Sequence, residues 1–421
     1  MKRIIICCDG TWNELDYRNR PVTNVVKMAQ SILPKSSDGN GNTIENIVYY
    51  DEGVGTLDGE GFKGGAFGAG LEQNIVDAYY FLTFNYQPGD KIYIFGFSRG
   101  AYTARSLAGL IRACGIVRRE HAHRAADAVD RYKDRPEADD PDRHTYDEAT
   151  KAFRLKYGYK NWWVGDEDDD TLKAANPEKK HQIEYLGVWD TVGTNGLIGA
   201  ANIYFGRKES HGFHDHKLSA IVRSARHAVA TDETRQMFTP CPWDETSLAW
   251  LNENHGAGLY QQAWFPGDHG SVGGGGDLTG LSDQALSWVA AGAVDGGHPI
   301  YDTQFRPVRF PVAIIKEGAR KTTTKIIKYQ PNNEDPLKNM STESKLEKER
   351  QKNLWQRGLS RVVSAFIDKD GAHRLNDLDK LPVFADAFWR YEGEQGYLKR
   401  IRGELKPSLR KSFDAQRAQR R

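Results

Sequence analysis

Residues Lys91 to Gly115, KIYIFGFSRGAYTARSLAGLIRACG, constrain this chain more than any other stretch. Ile92, Tyr93, Ile94 and Phe95 form a short apolar run, Gly96-Phe97-Ser98-Arg99-Gly100 follows, and the remainder is rich in Ala and Leu. That order predicts a buried strand, a very tight turn and a helix. A G-x-S-x-G pentapeptide between strand and helix lifts its serine on a strained backbone above the end of a sheet, as a nucleophile is carried. The glycines two before and two after Ser98 are required because a Cβ at either place would collide with a neighbouring strand or helix. Ala101, Ala104 and Ala108 keep the helix close to the sheet. Its first turn aims N–H groups and the positive dipole end at the place where an oxyanion would form. The competing reading is an ordinary turn with a solvated serine, so a base and an acid must be sought elsewhere.

A chain of 421 residues can bury a large core, and 39% hydrophobic with 27% charged residues belongs to a globular protein on the polar side. No run is long enough for a membrane helix, and MKRIIICCDG turns polar too early for a signal peptide, so synthesis and folding in the cytoplasm is the expectation. A net charge of +1 offers no bulk attraction to nucleic acid. Four cysteines without a C-x-x-C pair argue against a disulfide framework or a structural zinc, and Cys7 and Cys8 should face opposite sides of one strand.

In chain order, residues 3–8 (RIIICC) read as a central strand ending in Asp9-Gly10-Thr11-Trp12-Asn13, a loop placed where open α/β sheets bind ligands. A helix over 22–33, a strand over 47–50 and a helix over 71–86 lead to the Ser98 strand. The glycine-rich stretch from Gly53-Val54-Gly55-Thr56 to Gly70 reads as a loop bordering a cleft, since it is too long to seat a pyrophosphate at the next helix. Residues 118–180 form a charged insertion around Tyr157, Tyr159, Trp162 and Trp163, either packed onto the body or acting as a lid. IEYLGV, over 183–188, predicts a strand that delivers Asp190 just past its end, as an acid accepting a histidine Nδ1–H should be held. His211, His214, Asp215 and His216 match no standard metal spacing and read as a surface loop. A helix over 217–229 would carry His227 as a core histidine.

The last central strand, 258–265, precedes Pro266-Gly267-Asp268-His269-Gly270-Ser271-Val272 and four glycines, which give His269 the freedom to reach Ser98. His269 is the best base in the chain. Asp268 and Asp277 rival Asp190 as the acid, but neither directly follows a strand. The order Ser98, Asp190, His269 is that of the α/β-hydrolases. The backbone N–H groups of Arg99 and of Gly10 or Thr11 are then the oxyanion donors, and Trp12, Gly53, Gly55 and Thr56 border the substrate. A helix over 282–293 and strand-like residues over 305–315 follow. Residues 316–349 read as a linker or projecting loop. Residues 350–421 form a helical extension, with apolar positions such as Val383, Phe384 and Phe388 docking on the body and a basic tail. The tail is either frayed and solvated or a peripheral contact for anionic lipid headgroups.

Together these motifs resemble the catalytic domain of type VI secretion lipase effectors of the phospholipase type, a family long known only as a domain of unknown function. The matching residues are Cys8 to Asn13 (CDGTWN), Gly53 to Thr56 (GVGT), Gly96 to Arg105 (GFSRGAYTAR), Gly187 to Gly193 (GVWDTVG) and Trp264 to Gly275 (WFPGDHGSVGGG), spanning roughly residues 4 to 295. The resemblance implies Ser98 as nucleophile, Asp190 as acid and His269 as base, with no cofactor or metal and with export by a type VI-like system. The family's histidine loop reads His-Ser-Asp where this chain has His269-Gly270-Ser271. The expected fold is α/β-hydrolase-like, a mostly parallel sheet with helices on both faces. Its core is formed by residues 1–117 and 181–315. The expected activity is hydrolysis of carboxylic esters of lipids. A soluble carboxylesterase or thioesterase for short acyl chains, or a non-catalytic binding module on the same scaffold, are the alternatives.

Overall fold

The computed structural model describes residues 1–10, 22–53, 64–136, 139–159, 183–193, 217–235, 238–276, 279–308, 374–376, 378–391 and 396–420. A seven-stranded sheet organises them. Its strands are β1 (Lys2–Cys8), β2 (Lys35–Ser37), β3 (Thr43–Asp51), β4 (Lys91–Phe97), β5 (Ile183–Trp189), β6 (Val222–Ala230) and β7 (Tyr260–Phe265). They lie in the order β2-β3-β1-β4-β5-β6-β7, and every neighbouring pair is parallel except the short edge pair β2 and β3. The ends of β1, β4, β5, β6 and β7 therefore share one edge.

Alternation along the strands builds a core on each face, as a period of two demands. Ile4, Ile6, Cys8, Ile92 and Ile94 point into one cluster, with α2 (Gly64–Asn85), α3 (Ser98–Cys114), α4 (Ala125–Lys133) and α5 (Arg143–Tyr157) contributing to its cover. Ile5, Cys7, Tyr93 and Phe95 point the other way, covered by α1 (Asn24–Ser31) and by α8 (Gly280–Ala290). Between those two in the chain come α6 (Glu245–His255) and the five-residue α7 (His269–Gly273). Cys7 and Cys8 are buried free thiols on opposite faces. Within the charged stretch, Tyr159 packs edge-on against Tyr86 and donates its hydroxyl to the Tyr86 carbonyl at 3.2 Å.

Four sequence expectations are corrected. The segment expected as a helix over 217–229 contains strand β6, placed between β5 and β7. Its small, Ala-rich residues favour a helix locally, and pairing on both sides overrides that preference. The helix expected from 71 begins at Gly64, taking part of the glycine-rich run into its first turns. Residues 305–308 are not strand; the hairpin is earlier, Val294–Asp295 with His298–Pro299. Around Phe384 the chain is extended before a single turn, α9 (Asp386–Trp389). The Trp264 N–H donates to the Val383 carbonyl at 2.8 Å and the Ala385 N–H to the Trp264 carbonyl at 2.9 Å, so this segment lies along the outer edge of β7. With α10 (Tyr397–Glu404) and α11 (Pro407–Gln419) it closes a third apolar cluster, in which Phe384, Phe388 and Phe413 meet Val229, Trp264 and Leu281.

Candidate active site

Ser98 begins α3 directly after β4, with φ at 58°, a value strained for any residue bearing a Cβ. The elbow glycines owe their places to close approach. A Cβ on Gly96 would lie 2.5 Å from the Gly100 carbonyl oxygen, and one on Gly100 would lie 2.1 Å from that of Cys8. Thus α3 sits against the end of β1 with no room for a methyl group.

Asp190 follows β5 with φ at 36° and is completely buried. Its N–H donates to the Ala228 carbonyl at 2.7 Å, and two residues on the Val192 N–H donates to the Ser98 carbonyl at 3.3 Å. The loops carrying the two side chains are thereby laced together. His269 comes from beyond β7, not from an open loop but from the first position of α7. Asp268 caps that helix, accepting from the Ser271 N–H at 3.0 Å and the Ser271 hydroxyl at 2.8 Å. Asp268 and Ser271 thus brace the loop that carries His269.

These elements bring three side chains into line. His269 Nε2 is 2.7 Å from Ser98 Oγ, and His269 Nδ1 is 2.6 Å from Asp190 Oδ2. Phe97 and Phe238 flank the imidazole with ring centres at 4.6 and 4.5 Å, and its backbone N–H reaches Glu233 Oε2 at 3.3 Å. Burial alone would push the Asp190 carboxyl up, but the Arg374 guanidinium and the His269 bond outweigh it and hold the group well below the usual carboxylate range. Arg374 was missed in the sequence. It donates from Nη1 to Asp190 Oδ1 at 2.7 Å and from Nη2 to Oδ2 at 3.1 Å. Nothing in its local sequence, GAHRLNDLDK, distinguishes it from a surface arginine.

Other candidates take different places. His227 lies on β6, fully buried, with Nδ1 2.9 Å from Gln262 Oε1 and Nε2 accepting from the Thr191 N–H at 3.2 Å. Burial, then the nearby Arg105 charge, pushes it down to about 3, so it stays neutral and supports the turn after Asp190. The Gly10 N–H already donates to Asp9 Oδ1 at 2.7 Å, which removes it as an oxyanion donor in this arrangement. Asp9 also accepts from the Thr23 and Tyr50 hydroxyls, at 2.6 and 2.8 Å, and so fixes the loop after β1. Gly53 packs on that loop; with φ at 80°, its added Cβ would meet the Asp9 and Gly10 carbonyl oxygens at 2.8 Å. Arg99 lies in the first turn of α3, whose amides have no acceptor within the helix. Thr11, Trp12, Gly55, Thr56, Trp162, Trp163, His211, His214, Asp215, His216, Asp277 and residues 316–349 lie outside the described residues. Among the described residues no group of three or more His, Cys, Asp or Glu side chains could hold a metal ion.

A mostly parallel sheet with helices on both faces, and a serine raised on a strand–helix elbow at its carboxyl edge, define an α/β-hydrolase-like protein. Within that class residues 2–292 match the model of one family, and the chain belongs to it: the family described as "T6SS, Phospholipase effector Tle1-like, catalytic domain". The uncharacterized protein YEL023C of Saccharomyces cerevisiae is 28% identical over 265 residues, covering 58% of this chain and 33% of that protein. The chain thus spans about a third of that relative's length. An uncharacterized protein from Pseudomonas aeruginosa is similar over 74% of this chain and 48% of its own, at 17% identity and a TM-score of 0.38. A Tle1 effector solved bound to the VgrG spike of the type VI secretion system is similar over 65% and 51%, at 18% identity and a TM-score of 0.32.

Proposed function

We propose that this protein hydrolyses carboxylic ester bonds of lipids, with Ser98 as nucleophile, His269 as general base and then acid, and Asp190 as the carboxylate that orients the imidazole. The observation that carries this reading is the unbroken chain Ser98 Oγ, His269 Nε2, His269 Nδ1, Asp190 Oδ2, with contacts of 2.7 and 2.6 Å. Serine and histidine held within one hydrogen bond also favour catalysis over a binding module.

Ser98 Oγ attacks the ester carbonyl carbon while its proton passes to His269 Nε2. Asp190 accepts the Nδ1–H and stabilises the imidazolium. The carbonyl oxygen becomes an oxyanion, bound by the Arg99 N–H together with a donor from the loop after β1, for which Thr11 is the candidate. The bond to the alcohol oxygen breaks as His269 returns the proton to that oxygen, leaving an acyl-serine. Water then attacks this ester, giving its proton to the same nitrogen, and the acid leaves as Ser98 is reprotonated. Trp12, Gly55 and Thr56 are proposed to border the acyl cleft, with no cofactor required. Export by a type VI-like system, and docking on a secretion spike, extend the proposal beyond the catalytic step.

Vesicles containing a phospholipid with two distinguishable acyl chains test this reading. The full chain should release fatty acid, and folded Ser98→Ala should lose at least about a thousandfold in turnover. Equal release by the two proteins would remove Ser98 from the chemistry. Preference for short p-nitrophenyl esters, with phospholipid untouched, would shift the assignment to a soluble esterase.

A further inference from the structure

We propose that Arg374 is a positioning residue of this site: its guanidinium, supplied by the C-terminal segment, holds Asp190 as a correctly oriented carboxylate for His269. The inference rests on the Ser98–His269–Asp190 reading and adds a fourth member to it, from beyond the residues 2–292 that match the family. Both oxygens of Asp190 receive a guanidinium N–H, so the plane of the carboxylate is fixed as well as its charge. The fork is itself anchored on the protein backbone. Nη1 also donates to the Ala230 carbonyl at 2.8 Å, and Nη2 to the carbonyl of Phe238, whose ring lies against His269.

Two effects compete. A cation on Asp190 weakens the pull that the carboxylate exerts on the imidazolium formed during reaction. It also keeps a completely buried carboxylate charged and stops it turning away from Nδ1. The second effect outweighs the first at this depth. A general base must be neutral before it acts, so at rest Arg374 supplies the full positive charge touching Asp190. Without it the buried group would keep only neutral donors, the Ala230 N–H on Oδ1 at 2.9 Å and the His269 bond on Oδ2, and would take up a proton or rotate; a protonated carboxyl loses the geometry that accepts Nδ1–H.

The rate at which a fluorophosphonate forms an adduct on Ser98 of the full-length protein reads this directly. Arg374→Met should slow it by about 100-fold, less than the ~10⁴-fold that an asparagine in the acid position can cost. Arg374→Lys, keeping charge without the fork, should fall between, and added methylguanidinium should speed Arg374→Ala but not the wild type. The double variant Asp190→Asn/Arg374→Met should be no slower than Asp190→Asn alone, because Arg374 acts through Asp190. Arg402→Met, which removes a surface ion pair of the same segment, should label at the wild-type rate. A wild-type rate in Arg374→Met, or slowing in the double variant equal to the product of the two singles, would overturn the role. Should Arg374→Met not fold, Arg374→Lys and the methylguanidinium series carry the same comparison. Absence of any Ser98 adduct on the wild type is a different outcome: it removes the triad itself, and this role with it.

Discussion

At Ser98 and Asp190 the backbone is held at φ values of 58° and 36°, conformations that cost on the order of 1–3 kcal/mol each and persist only where the surroundings over-determine them. For Asp190 those surroundings include a neutral histidine, and that has a measurable consequence. His227 is pushed down to about 3 from 6.5, so the unfolded chain binds its proton first, and its contribution to stability is lost as pH falls from 6.5 towards 3. Asp51, pushed up to about 6 by burial, works the other way: the folded state binds the proton first, and stability is gained as pH falls from 6 towards 3.8. The two nearly offset between pH 6 and 4. Separating them should therefore change slopes more than midpoints. Over that window His227→Gln should lose less stability on acidification than the wild type, and Asp51→Asn should lose more. Each slope should differ from the wild type by about 1 kcal/mol per pH unit in urea titrations. Parallel slopes in all three proteins would contradict this.

Among the elements, the elbow and the strands around it follow from short-range signals. A run of apolar residues closed by Gly-Phe-Ser-Arg-Gly, or by Trp189-Asp190, or by Pro266-Gly267-Asp268-His269, marks where a strand ends, and the three candidate side chains sit at those ends. That is why the placing of Ser98, Asp190 and His269 at neighbouring strand ends can be read from the sequence. β6 cannot be, because VRSARHAVA carries helical preference and only its two neighbours make it a strand. Arg374 cannot be, because its meaning lies in a contact with a residue 184 positions away in the chain. The elbow itself can be tested at this scale. Gly100→Ala places a methyl carbon 2.1 Å from the Cys8 carbonyl oxygen, so α3 must move off the end of β1. The cost should be about 1–3 kcal/mol in denaturant midpoints, with ester turnover falling further than stability. An unchanged midpoint would show that the helix and strand are not in the contact described.

For the molecule as a whole, the segment after residue 373 covers what the sheet would otherwise leave open. It lies along β7, fills the third apolar cluster, and steadies the His269 loop through Asp232. That carboxylate accepts from the Gly267 N–H at 2.8 Å and from Tyr397 and Arg400 at 2.9 Å each. Removing residues 378–421 should therefore expose the edge of β7 and the apolar surface of Trp264 and Leu281, giving concentration-dependent association in light scattering. A monomeric, fully active truncation would refute that covering role. No helix among the described residues is long and apolar enough to cross a membrane. The most direct test of the central claim is peptide mapping after treatment of the folded full-length protein with a fluorophosphonate. A single adduct on Ser98, absent from Ser98→Ala and slowed in Asp190→Asn, is the predicted result; no adduct, or one on another serine, would contradict it.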